Sequence, residues 1–268
     1  MKRAATFLVL LLLTACARPK DTDAAVLHQA LYAAAATAST DESEKSPSAE
    51  QADPTEETVV SERRQTVQTP RLRTAPTEKR FPGKFSEKPV YGERSYKSST
   101  VDVTVTTRTV EDTYAKIASY HVADIYVKDV TSIRAAAAGG DFGMRYEKTV
   151  KGIAMDVGAL LAIDGDTYTR VKNSFVIRNG VLYRDTPIED ADLCVLYRDG
   201  RMETKAWGTF TAQEIIDADP WQVWGFGPAL LDEDGHAVEI THALSGHNPR
   251  AAIGYFEPGH YCFVIVDG

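Results

Sequence analysis

Cysteine is scarce in this sequence, with 3 among 268 residues, at positions 16, 194 and 262. Three cysteines supply no disulfide framework, so any fold must rest on an apolar core. A Cys194–Cys262 bridge is open to an exported protein, but both residues sit in apolar stretches and read equally as small buried hydrophobes. Histidine is thin as well. The 6 residues are scattered, with no His-Glu-x-x-His and no Cys/His cluster, so neither a metal site nor a cofactor is expected. Positive charge is in deficit, 30 Lys and Arg against 38 Asp and Glu, and no basic run occurs, which removes nucleic acid from the expected partners. Long apolar runs are missing too: Phe7–Leu13 is too short to cross a bilayer as a helix.

What is present falls into three parts. Residues 1–16 read as a lipoprotein signal peptide. Lys2 and Arg3 form its charged start, Phe7–Leu13 its apolar centre, and Leu13-Thr14-Ala15-Cys16 fits the bacterial pattern in which the cysteine is lipidated. Attachment through several acyl chains at Cys16 predicts a protein held at the extracytoplasmic face of a cell membrane. Residues 17–80 read as a disordered linker: Ser39–Lys79 is rich in Ser, Thr, Glu, Pro and Lys and has almost no aliphatic residue to bury. A flexible coil of about 60 residues spans roughly 40–50 Å, enough to hold a domain off a membrane. The folded domain is expected over residues 81–268.

Within that domain the period-two pattern predicts strands at Val101–Val105 and His121–Lys128, and the Ala-rich Thr131–Ala138 predicts a short helix stopped by Gly139-Gly140. Lys148–Ile163 leads into the central stretch. Leu160–Ile163 is a buried strand that breaks into Asp164-Gly165-Asp166, and Phe175–Ile177 and Val181–Tyr183 flank an Asn179-Gly180 hairpin turn. Asp199-Gly200 closes another hairpin between Leu193–Tyr197 and Met202–Trp207. Thr211 and Glu214 form a capping box for a helix to about Ala218, Trp221–Phe226 is a strand, and Arg250–Phe256 pairs with Tyr261–Val266. Many strands, few helices and no βαβ alternation predict an α+β fold, a strand-rich mixed sheet with a few short helices. Asp164 and Asp166, at a strand end, are the candidate catalytic pair, although Asp-Gly-Asp by itself also fits a solvated turn. Arg178 and Arg184 read as solvated strand-face charges that are also able to meet an anion. Trp207, Trp221, Trp224 and Phe226 read mainly as core.

Six pieces in order, HVADIYVKD (121–129), AIDGDTY (162–168), FVIRNGVLYRD (175–185), WQVWGFGPAL (221–230), NPRAAIG (248–254) and FVIVDG (263–268), together resemble the phosphodiester glycosidase family from about Phe81 to Gly268. The resemblance implies a hydrolase that cleaves a sugar-1-phosphodiester, of the N-acetylglucosamine-1-phosphate type, in envelope glycans or exopolysaccharide. It implies carboxylates near the anomeric carbon, for which Asp164 and Asp166 are the candidates, and an anion clamp, for which Arg250 leads, with Asn248, Asp267 and Arg178 as further substrate contacts. Related bacterial members carry Asn where this chain has Asp164, so a carboxylate there is a feature of this sequence. The family continues past the position of Gly268 with a Gly-rich segment that helps build the site. The resemblance therefore implies a C-terminally truncated domain, with the site open on one side, strand 261–266 near an unpaired edge, and weak turnover. The alternative is an inactive glycan-binding relative or a structural lipoprotein.

Overall fold

The computed structural model describes residues 10–13, 77–111, 117–140, 142, 148–166, 175–186, 192–225, 229–232, 234–238 and 249–266. Strand β1 is Leu10–Leu13, and Cys16 and all of 17–76 lie outside the described residues. The chain is next described in the helical turn α1, Thr77–Arg80. Arg80 pairs with Glu257 at 2.6 Å and Phe81 packs edge-on against Tyr126, which docks this turn on the sheet behind it.

That sheet has six strands: β2 (Val90–Gly92), β3 (Ser95–Lys97), β4 (Val101–Glu111), β5 (Ile117–Val127), β13 (Arg250–Glu257) and β14 (His260–Val266), in the order β13-β14-β5-β4-β3-β2. A second sheet of five runs β11-β10-β12-β8-β9, from Met202–Lys205, Leu193–Tyr197, Pro220–Gly225, Phe175–Arg178 and Val181–Asp185. A third places β1 between β6 (Ile133–Ala136) and β7 (Leu161–Asp164). Every strand pair among the described residues is antiparallel, so the expected mixed sheet is three antiparallel ones. Strand β14 is not at an edge either, because β13 and β5 flank it on both sides.

The three inner strands of the five-stranded sheet, β10, β12 and β8, are buried on both faces, and β10 shows how. Cys194 and Leu196 join Val103, Ile125, Tyr261 and Phe263 of the six-stranded sheet in the main core. Leu193, Val195 and Tyr197 point the other way, toward Ile215 of helix α3 (Ala212–Asp217). The alternation is the two-residue period of a strand, and continuous burial follows from cover on both sides. Helix α3 opens with the expected capping box, Thr211 Oγ1 accepting from Glu214 N–H while Thr211 N–H donates to the Glu214 carboxylate. Tyr261, fully buried, donates its hydroxyl to Gly200 O at 2.6 Å and so joins the β13–β14 hairpin to the β10–β11 turn. A Cβ at Gly200 would lie 3.1 Å from that hydroxyl, in a backbone with φ +86°. Cys194 and Cys262 are free thiols, and burial pushes the Cys194 thiol up to about 12.

Two segments differ from the sequence reading. Thr131–Ala138 is no helix: a 3-10 turn at Val130–Ser132 leads directly into strand β6. The backbone of β6 is claimed by distant partners, described below, and such contacts override the helix propensity of alanine. Lys148–Ile163 contains helix α2, Val150–Val157, with Thr149 accepting from Gly152 N–H at its start and Gly158 in the left-handed region at its end. Ile153 and Ala154 pack it onto Ala138, Ala159 and Ala162.

Candidate active site

Strand β7 delivers Asp164 and, one glycine later, Asp166, and the two carboxylates meet different surroundings. Asp166 is buried, at 4% exposure. Its Oδ1 and Oδ2 accept from Arg178 Nη2 at 2.6 and 2.8 Å, and Oδ2 also accepts from Gly225 N–H at 2.9 Å. The guanidinium is itself fully buried: Nη1 donates to Ile177 O and Val223 O. This ion pair ties the loop after β7 to β8 and to the end of β12. Asp164 has no such partner. It is half-buried, and desolvation holds its carboxyl above the ordinary 3.8, with a hydrogen bond to its own backbone pulling the other way. Like-charge repulsion is thus not what separates the two acids. One is neutralised by a buried cation and the other is raised by burial.

Arg178 is therefore not a solvated strand-face charge, nor is it open to a substrate phosphate. The tight alternation of β8 leaves Arg178 pointing inward, and its burial is tolerated because Asp166 and two carbonyls meet its donors. Arg250 is exposed at the start of edge strand β13, opposite Val266. Among the described residues it has no ion pair, and no hydrogen bond or ion pair joins it to Asp164 or Asp166. Asn248, Asp267 and the candidate stacking residue Phe226 lie outside the described residues. Arg184 is half-buried on β9, Trp207 is exposed, and Trp221 and Trp224 are core residues as expected.

Asn179 and Gln222 are functional to the architecture in a way the sequence did not signal. Asn179 and Gly180 have φ of +52° and +75°, the two positive values of a type I′ turn. The same asparagine reaches sideways to β6: Nδ2 donates to Ala135 O and Oδ1 accepts from Ala135 N–H, both at 2.9 Å. Gln222 Oε1 accepts from Asn179 N–H at 3.0 Å, and its Nε2 donates back to Asn179 Oδ1 at 2.8 Å. Trp221 Nε1 donates to Ile133 O at 2.6 Å. Side chains thus act as the lateral neighbour of β6 and lock the five-stranded sheet beside it. Only the Asn-Gly dipeptide was visible in advance, and it signalled the turn alone.

Residues 157–268 match the family model described as phosphodiester glycosidase. The matched segment holds Asp164, Asp166, Arg178 and Arg250. Among solved structures the chain is similar to a zebrafish N-acetylglucosamine-1-phosphodiester alpha-N-acetylglucosaminidase catalytic domain auto-inhibited by its pro-peptide, with 13% identity and a TM-score of 0.42. The match covers 63% of this chain and 62% of that one, so the chain spans less than two thirds of the solved relative. No curated protein matches the chain. The family match supports the phosphodiester glycosidase family for this C-terminal part of the chain.

Proposed function

We propose that the protein hydrolyses sugar-1-phosphodiester bonds, of the N-acetylglucosamine-1-phosphate type, in envelope glycans or exopolysaccharide. The observation that carries this reading is the divided pair of acids inside the family segment. One carboxyl is locked to Arg178, and the other is half-exposed and raised by burial. A desolvated carboxylate is a better proton acceptor near neutrality and a better stabiliser of developing positive charge. In the reaction the bond from the anomeric carbon to the bridging oxygen breaks, water adds to that carbon, and its proton passes to the carboxylate. The leaving group is a phosphate monoester, which departs as an anion and asks little of a general acid. Asp164 takes the carboxylate role. Asp166 serves as a positioning residue through Arg178 and Gly225. Arg250, exposed and without an ion pair among the described residues, takes the phosphate oxygens in a bidentate grip.

The test compares two substrates with the same sugar, an N-acetylglucosamine-1-phosphodiester and a neutral aryl glycoside. Release of phosphate monoester from the first, with KM raised by Arg250→Ala, supports the reading. Equal or exclusive hydrolysis of the aryl glycoside overturns it. The same proposal places the protein on a cell membrane through a lipidated Cys16, the assignment carried by Leu13-Thr14-Ala15-Cys16. Cys16→Ser should move the protein from the detergent phase to the aqueous phase, and unchanged partitioning would contradict the anchor.

A further inference from the structure

Strands β6 and β7 do not pair with each other. Between them lies a gap one strand wide, filled by Leu10–Leu13. The registers are complete on both sides: Leu10 to Leu13 stand opposite Ala136 to Ile133 of β6, and opposite Asp164 to Leu161 of β7. The far edge of β6 is closed, because the Asn179 amide holds both polar groups of Ala135 and the Trp221 indole holds Ile133 O. In an antiparallel ladder the N–H and C=O of one residue point the same way and alternate along the strand. Arg134 and Ala136 therefore turn their backbone groups into the gap, and a strand there is what satisfies them. The walls are apolar: Ile133, Ala135, Ala162 and Ile163 are buried, and helix α2 lies against β1.

We infer that the β6–β7 gap is a strand-acceptor site, and that its occupant in the unprocessed chain is the chain's own leader segment Leu10–Leu13. The acceptor stands on backbone geometry alone. One consequence rests on the lipoprotein reading: Leu13 is both the last residue of β1 and the first of the Leu13–Cys16 tetrad, so docking of the leader and cleavage before Cys16 compete for the same backbone. Because Leu10 stands opposite Asp164, the occupant also runs up to the candidate active site.

The experiment uses the full chain with Cys16→Ser, so that the leader is retained. Hydrogen exchange should find the Arg134 and Ala136 amides protected. Adding Leu12→Pro, which removes a ladder donor from a central strand, should speed their exchange by about tenfold or more, the equivalent of one lost hydrogen bond. A second arm does not depend on a proline variant folding. Leu12→Cys with Arg134→Cys places thiols on facing residues, one of them exposed, and mild oxidation should give an intramolecular disulfide seen by mass spectrometry. Leu12→Cys with Thr211→Cys should not. Exchange unchanged by Leu12→Pro, or cross-linking no better for position 134 than for 211, overturns the inference. Neither readout uses membrane partitioning, so a failed lipidation reading leaves a different mark.

Discussion

Arg178 has both of its terminal nitrogens engaged inside the protein, Nη2 on both oxygens of Asp166 and Nη1 on two carbonyls. Removing one partner of such a pair leaves a buried charge without compensation. Arg178→Met should therefore cost about 3–5 kcal/mol in urea unfolding, and the double variant with Asp166→Asn should cost clearly less than the sum of the singles. A loss below about 1 kcal/mol, in the range of surface substitutions, would show that the pair does not hold the loop. Asp164 is expected to act in the opposite direction. Its carboxyl is raised in the folded state, so the native protein binds the proton more tightly than the unfolded chain does. Its contribution to stability is full below the ordinary 3.8 and is lost as pH rises through the raised native value. Asp164→Asn should thus gain on the parent protein as pH climbs above about 4, judged by urea midpoints across the acid range, and a constant difference at every pH would contradict the shift. The sequence made the Asp-Gly-Asp motif conspicuous but could not say which acid is free. That depends on a guanidinium 12 residues away whose burial follows from cover on both faces of its sheet.

Among the elements, the hairpins were legible, because each one is announced locally. The Asn179-Gly180 and Asp199-Gly200 turns between β-formers, and the Thr211/Glu214 box, need no distant partner to be read. The elements that were misread depend on long-range contacts. Strand β6 looks helical in an alanine-rich window and is extended because Asn179, Trp221 and Gln222 take its backbone groups from across the fold. Helix α2 did carry a local signal, Thr149 before it and Gly158 after it, in a stretch read only as an approach to the central strand. The double duty of Asn179 gives a sharp test. Asn179→Gly keeps the positive φ of the turn but strips the amide that satisfies Ala135. It should still destabilise the protein by about 1–3 kcal/mol, the cost of orphaned buried backbone groups. A neutral Asn179→Gly, with loss only in Asn179→Ala, would mean that the turn conformation is all that matters.

For the molecule as a whole, the six-stranded and five-stranded sheets share one core, and the loop bearing Asp166 is tied to the five-stranded sheet by one buried ion pair and the Gly225 N–H. On the proposed function, the two carboxylates, two residues apart, take separate tasks. The most direct test follows both variants in two assays, phosphate-monoester release from an N-acetylglucosamine-1-phosphodiester and thermal unfolding. The expected result is that Asp164→Asn loses turnover by about 10²-fold, the scale of one electrostatic stabiliser, and melts no earlier than the parent protein. Asp166→Asn should melt much earlier. Full turnover in Asp164→Asn, or an Asp166→Asn protein that melts normally and is inactive, would contradict the division of roles.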